Sequence, residues 1–128
     1  MRLLLDTHAL IWWLIDSPKL SRSAHAAIAD GRNEILVSAV SAIEVTTKYR
    51  RGRLPEAEPL AVAFERETAS EGFMSLPISI AHAAMAGGLR IQHADPFDRL
   101  LIAQAQLEEA LLVSNEKLFD GFGVKRLW

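Results

Sequence analysis

Five acids sit at places in this chain where a carboxylate can do chemistry: Asp6, Glu44, Asp95, Asp98 and Glu116. Asp6 ends the apolar run Leu3-Leu4-Leu5, and Glu44 follows Ile35-Leu36-Val37 by a few residues. Asp95 and Asp98 flank Pro96-Phe97, and Glu116 comes just after Leu111-Leu112-Val113. Each acid has a purely structural reading. Asp6 and Asp95 are favoured helix N-caps, Ser41-Ala42-Ile43-Glu44 matches a capping box, and Asp98 suits the positive end of a helix. Glu116 alone reads as an exposed charge. Read together, they place acid at three strand–helix junctions, and a parallel sheet brings such junctions to one edge. Carboxylates gathered there repel and raise one another's pKa. A hard cation, Mg²⁺ or Mn²⁺, relieves that repulsion through oxygen ligands. Metal-assisted phosphodiester hydrolysis requires such a centre.

The elements that would position these acids can be read from apolar patterning. Arg2 to Asp6, Ile35 to Val37 and Leu111 to Val113 read as short buried strands. Phe73 to Ile78 and Val124 to Trp128 are weaker extended segments. Helices are expected over Thr7 to Ile15, Ser21 to Asp30 with Gly31 as C-cap, and from Ser38 or Ser41 to about Arg51 before Gly52. Three more are expected over Pro59 to Glu71, Ile80 to Ala86 before Gly87-Gly88, and Asp95-Pro96 to Glu109. Strands alternating with helices imply a three-layer α/β/α domain, residues 1–128, around a central mostly parallel sheet.

Composition narrows the function classes. The chain has no cysteine, which excludes a disulfide framework, a thiolate zinc site and a cysteine nucleophile, and fits a reducing cytoplasm. Asp6 and His8 interrupt the opening apolar run, and no stretch is apolar for long enough to span a bilayer, so no membrane association is expected. A net charge of −2 does not select a partner, because a local basic patch can still bind phosphate. Lys48, Arg50, Arg51 and Arg53 form such a run, readable as a solvated helix end or as a phosphate-steering surface. Trp12-Trp13 cannot both face one core from one helix, so one of them is a candidate for a partner surface or for partly buried packing. His25 and His82 have no acid or histidine at ligand spacing and are assigned no chemistry.

Four blocks together resemble a known family. Leu3-Leu4-Leu5-Asp6-Thr7-His8-Ala9-Leu10-Ile11-Trp12-Trp13 is similar to the amino-terminal signature of PIN domains, and Val37 to Glu44 resembles their second motif. His93-Ala94-Asp95-Pro96-Phe97-Asp98-Arg99-Leu100-Leu101-Ile102-Ala103-Gln104-Ala105 resembles the third, and Leu112 to Glu116 stands where the fourth belongs. The likeness spans essentially the whole chain and is nearest to the VapC toxin half of toxin–antitoxin pairs. It implies a Mg²⁺- or Mn²⁺-dependent endoribonuclease that leaves a 3′-hydroxyl and a 5′-phosphate. It also implies a cognate VapB-type antitoxin and a homodimer. By position, Asp6, Glu44 and Asp98 become metal-binding acids with Asp95 in or beside the shell. Glu116 stands where the family usually has Asp, its longer arm departing from the pattern. Ser114 would position a water or a carboxylate, with Thr7 and Arg99 as supporting or substrate-side residues; Arg99 could contact a substrate phosphate or pair with Asp95. His8 is expected to be structural.

Of three rival readings, the first two lack the acids they require and the third stays open. An aspartate-nucleophile phosphatase would want an acid two residues after Asp6, where His8 stands. A receiver-like signalling module would want paired acids near the first strand. An inactive PIN-like binding module would keep the fold and lose the metal.

Overall fold

The computed structural model describes residues 1–93 and 95–128. Its centre is a five-stranded sheet in which every pairing is parallel, in the order β3-β2-β1-β4-β5. The strands are β1 (Arg2–Leu5), β2 (Glu34–Ser38), β3 (Met74–Leu76), β4 (Leu111–Val113) and β5 (Arg126–Leu127). Between them run α1 (Thr7–Leu14), α2 (Arg22–Ala29), α3 (Ala39–Arg50), α4 (Glu58–Ser70), α5 (Ile80–Gly88) and α6 (Pro96–Leu107). Short 3-10 turns lie at Pro55–Ala57 and Lys117–Gly121. This is the three-layer α/β/α arrangement expected from the alternation of elements.

β1 is apolar along its length because helices cover both sheet faces. Leu3 and Leu5 join Ile35, Val37 and Val113 in one core, closed by Leu10 and Ile11 of α1, Ile28 of α2, Val45 of α3 and Leu60 of α4. Leu4 points the other way. With Leu36 and Leu112 it enters a second core completed by Val40, Leu101, Ile102, Ala105 and Phe119. Strand periodicity thus sends alternate residues of one tetrapeptide into two hydrophobic layers.

Register then builds the functional edge. Leu5 pairs with Val37 on one side and with Val113 on the other. The next residue of each strand is therefore at one level: Asp6, Ser38 and Ser114, all buried. The chain runs outward from β1 in both directions, to β2 and to β4, which makes the carboxyl end of β1 the topological switch point where ligands bind in open parallel sheets.

Helix ends follow local chemistry: of the two expected starts of α3 the structure takes Ser38, while α2 and α5 end differently from expectation. Ser38 caps α3 by accepting from the Val40 N–H at 3.0 Å, so Ser41 lies inside the helix and the Ser41–Glu44 capping box does not form. α2 leaves its axis at Asp30 in an extended conformation rather than through a left-handed Gly31. α5 runs two residues beyond Ala86, and the carbonyls of Ala86 and Gly87 at its end accept from Arg99. Gly52, at φ +76°, supplies the left-handed turn after α3.

Ser21 caps the eight-residue α2 by accepting from the Ala24 N–H at 3.1 Å. A helix this short depends on its cap. Ser21→Ala is expected to cost about 1 kcal/mol, read as a lower urea midpoint at unchanged m-value.

Candidate metal and nuclease site

Asp6 is the pivot of the strand-end edge. Its side chain caps α1, accepting from the Ala9 N–H at 2.8 Å, while its own N–H donates to Val113 O at 3.0 Å. It is only 5% exposed, and burial pushes its carboxyl above the usual range. The Ser114 hydroxyl and the Ala9 N–H work against that rise, and the negative charge of Glu116 adds to it. Asp6 is thus a cap, as its residue type allows, and also a desolvated acid facing another acid.

Thr7, one residue on, ties this edge to α3. Its hydroxyl donates to Glu44 Oε1 at 2.9 Å. A hydroxyl has one proton and a carboxylate only accepts, so the second contact, to Ser41 Oγ at 3.0 Å, is donated by Ser41. Ser41 and Glu44 share a helix face at i,i+3 spacing, which lets one Thr meet both. Lys48, one turn further, pairs with Glu44 Oε2 at 3.2 Å. Thr7→Val keeps the shape but leaves the buried Ser41 hydroxyl without this partner. An expected cost of about 1–3 kcal/mol follows, measurable by chemical denaturation. Unchanged stability would contradict the bridging role.

The other acids come from α6. Asp95 caps the helix, accepting from the Phe97 and Asp98 N–H groups at 2.8 and 3.3 Å, and stands exposed. Asp98 is half-buried, and burial again raises its carboxyl, with Asp95 and Glu44 adding repulsion. His93 opposes the shift through a 2.7 Å contact between its Nε2 and Asp98 Oδ2. Glu116 is exposed beyond β4, its N–H held by Ser114 Oγ at 3.0 Å.

Asp6 and Glu116, Glu44 and Asp98, and Asp95 and Asp98 are therefore near enough to feel one another. The expected convergence is looser than a finished ligand set. Among the described residues, no three Asp, Glu or His side chains form a group that could hold a metal ion. Lys48 pairs with Glu44 and His93 with Asp98, so a cationic or hydrogen-bonding partner stands on each of these acids. The donor set still fits a hard divalent cation: every acid offers oxygen, and two have a proton affinity raised by burial and by a neighbouring carboxylate.

Arg99 corrects the sequence reading. Its five N–H donors all go to backbone carbonyls: Ala86 at 2.9 Å, Gly87 at 3.3 Å, Leu89 at 2.7 Å, Ile91 at 3.3 Å and His93 at 2.9 Å. A guanidinium has no further donor, so Arg99 contacts neither a substrate phosphate nor Asp95 in this arrangement. It is a clamp on the α5–α6 connection.

Two histidines carry more than the sequence suggested. His93 partners Asp98 from five residues away, a spacing with no helical meaning across a proline-initiated helix start. His82 is buried and completes a capping box with Ser79; its Nε2 meets Glu108 Oε2 at 3.0 Å. Gln104, fully buried in α6, contacts His82 and Ser38. Trp12 packs between His8 and Trp128, and Trp13 against His25 and Phe73, which makes both packing residues.

The chain thus combines a parallel α/β/α sheet with acids at strand–helix junctions along its carboxyl edge. Residues 3–125 match the PIN domain, and the chain belongs to that family. Ribonuclease VapC16 of Mycobacterium tuberculosis is 38% identical over 71 residues, covering 52% of this chain. That alignment spans 50% of the relative's own length. Among solved structures, Mycobacterium tuberculosis VapC20, described as a sarcin-ricin loop cleaving toxin, superposes with a TM-score of 0.71 at 14% identity, covering 95% of each chain. DNA-bound VapBC from Salmonella typhimurium gives 0.70 at 17% identity over 98% of this chain and 96% of that one. A toxin–antitoxin complex from Klebsiella pneumoniae gives 0.65 at 24% identity over 94% and 92%. These likenesses establish the shared fold.

Proposed function

We propose that this chain is a metal-dependent endoribonuclease, the toxin of a VapBC-type toxin–antitoxin pair, acting as one PIN domain over residues 1–128. The observation that carries the reading is the pair of shielded acids, Asp6 at the carboxyl end of β1 and Asp98 in the first turn of α6, each raised by burial and further by a neighbouring carboxylate. Membership of the PIN family and the likeness to a named ribonuclease support it.

Asp6, Glu44 and Asp98 would hold Mg²⁺ or Mn²⁺, with Asp95 and Glu116 at the margins. When bound, the cation lowers the pKa of a water and neutralises charge developing on the phosphodiester. The protein's own contribution is orientation. Thr7 holds one Glu44 oxygen and Lys48 the other. The Ala9 N–H fixes Asp6 Oδ1, and Ser114 lies against the same carboxyl. Arg50, Arg51 and Arg53 are exposed at and just beyond the end of α3, where a basic run would steer an RNA backbone without reading its bases.

An antitoxin partner would sit over a groove of about 150 Å³ between α1 and α4. Ile11, Leu14, Ile15 and Leu60 supply its apolar floor, and Glu56, Glu67 and Glu71 its acidic rim. An amphipathic helix with basic flanks suits that chemistry. Homodimerisation and residence in the cytoplasm belong to the same reading. Among the described residues, no helix is long and apolar enough to cross a membrane.

The test is cleavage of structured RNA by the purified chain, free of any antitoxin, in Mn²⁺ and in excess chelator. Cleavage that starts with metal and stops with chelator is expected. Binding without cleavage across several metals and RNAs would favour an inactive binding module.

A further inference from the structure

The connection between α5 and α6 contains an arrangement aimed at Asp98. His93 Nε2 approaches Asp98 Oδ2 at 2.7 Å, and the imidazole packs against Phe122 with ring centroids 6.0 Å apart. An ionised carboxylate only accepts, so the bond is donated by the His93 Nε2–H. Both side chains are largely shielded, at 29% and 27% exposure, which strengthens a charge-assisted bond relative to one in open water.

His93 belongs to no helix or strand, so something outside regular structure must hold it. The Arg99 clamp does so. Its guanidinium gathers carbonyls from Ala86 to His93, and Nη1 holds the carbonyl of His93 itself at 2.9 Å. Arg99 follows Asp98 directly on α6, so one helical turn presents both the acid and the clamp that holds the acid's partner. Leu89 and Ile91 of the same connection pack on the second core, giving the clamp an apolar footing.

We infer that His93 is a positioning residue for Asp98, and that Arg99 acts through His93. His93 occupies one Asp98 oxygen and fixes the carboxylate plane, so that the other oxygen is offered to a divalent cation in one orientation. This rests on the reading of Asp98 as a metal-binding acid. Hydrogen-bond partners of metal ligands govern affinity in this way, typically by about tenfold or more.

The experiment measures Mn²⁺ affinity by electron paramagnetic resonance of the free ion, with melting curves alongside. The proteins are the unsubstituted chain, His93→Ala, His93→Gln, Arg99→Gln and the His93→Ala/Arg99→Gln double variant. His93→Ala is expected to weaken Mn²⁺ binding about tenfold with little change in melting temperature. His93→Gln, which keeps an N–H donor, recovers most of the loss. Arg99→Gln, assayed below its own melting transition, weakens binding to a similar degree, and the double variant is no worse than either single change. Unchanged or tighter binding by His93→Ala overturns the inference, as does additive loss in the double variant. Failure of the unsubstituted chain to bind Mn²⁺ overturns this inference and the carboxylate-site reading together. Normal binding by that chain with an indifferent His93→Ala overturns the positioning role alone.

Discussion

Asp6→Asn and Asp98→Asn are each expected to lower the rate of RNA cleavage on the order of a thousandfold, while the fold survives. At Asp6 the separation of fold from function is clear. Asn ranks with Asp as an N-cap, so the Ala9 N–H keeps its acceptor and α1 its start. Only the charge is lost, and that charge stands in a site where burial already opposes ionisation. Asp6→Asn should therefore melt at the same temperature as the unsubstituted protein or higher, the pattern of a functional site maintained against stability. At Asp98, the Asn carbonyl can still accept from His93, so the connection stays in place. Single-turnover cleavage in Mn²⁺ paired with thermal melts would check both halves. A variant that is folded and fully active would remove that acid from the site.

The second large effect is on stability, and it links pH to metal. Asp6 and Asp98 have folded-state pKa values raised above the 3.8 of the free acid. Each binds its proton more tightly in the folded than in the unfolded chain. Their stabilising contribution is therefore complete below pH 3.8 and is lost as pH rises through the folded values. Asp30 runs the other way: its partnership with Arg32 lowers it to about 2, so its contribution is present above 3.8 and lost on acidification towards 2. A divalent cation that binds the ionised acids should reverse the loss at Asp6 and Asp98. At a hundredfold excess over its dissociation constant, Mn²⁺ is expected to add about 2.7 kcal/mol, or about 10 °C in melting temperature. The shift should shrink towards pH 5 and vanish in Asp6→Asn and Asp98→Asn. Differential scanning calorimetry with and without Mn²⁺ at the two pH values reads it directly. An equal shift in the two variants would place the ion elsewhere.

The parts of this fold legible in the sequence are those where burial is two-sided. Leu3-Leu4-Leu5, Ile35-Leu36-Val37 and Leu111-Leu112-Val113 form the three central strands, and a run of apolar residues is what a doubly covered strand must be. The edges read less well. Phe73 to Ile78 contracts to Met74–Leu76 and Val124 to Trp128 to Arg126–Leu127, since an edge strand has one neighbour and its apolar signal extends into flanking loop. The acids were legible by position, because parallel topology forces strand ends together.

Their contacts were not. Nothing local distinguishes a capping-box Glu44 from one held across the fold by Thr7, 37 residues away. The α3 start resolved to Ser38, and the Glu44 side chain goes to Thr7 and Lys48 instead of to a capping box. Arg99 beside two acids looks like a phosphate contact, and only the path of residues 86–93 around it reveals a clamp. Gln104 is a further long-range partner, accepting from the Ser38 hydroxyl 66 residues away.

The central claim is that acids from separate strand–helix junctions jointly hold a divalent cation. Anomalous diffraction from crystals of the chain grown with Mn²⁺ tests it most directly. The account predicts one or two Mn²⁺ peaks at the carboxyl end of β1, with oxygens of Asp6 and Asp98 within about 2.3 Å of the ion. Ordered Mn²⁺ bound only at another surface, or saturating Mn²⁺ with Asp6 and Asp98 unengaged, would contradict it.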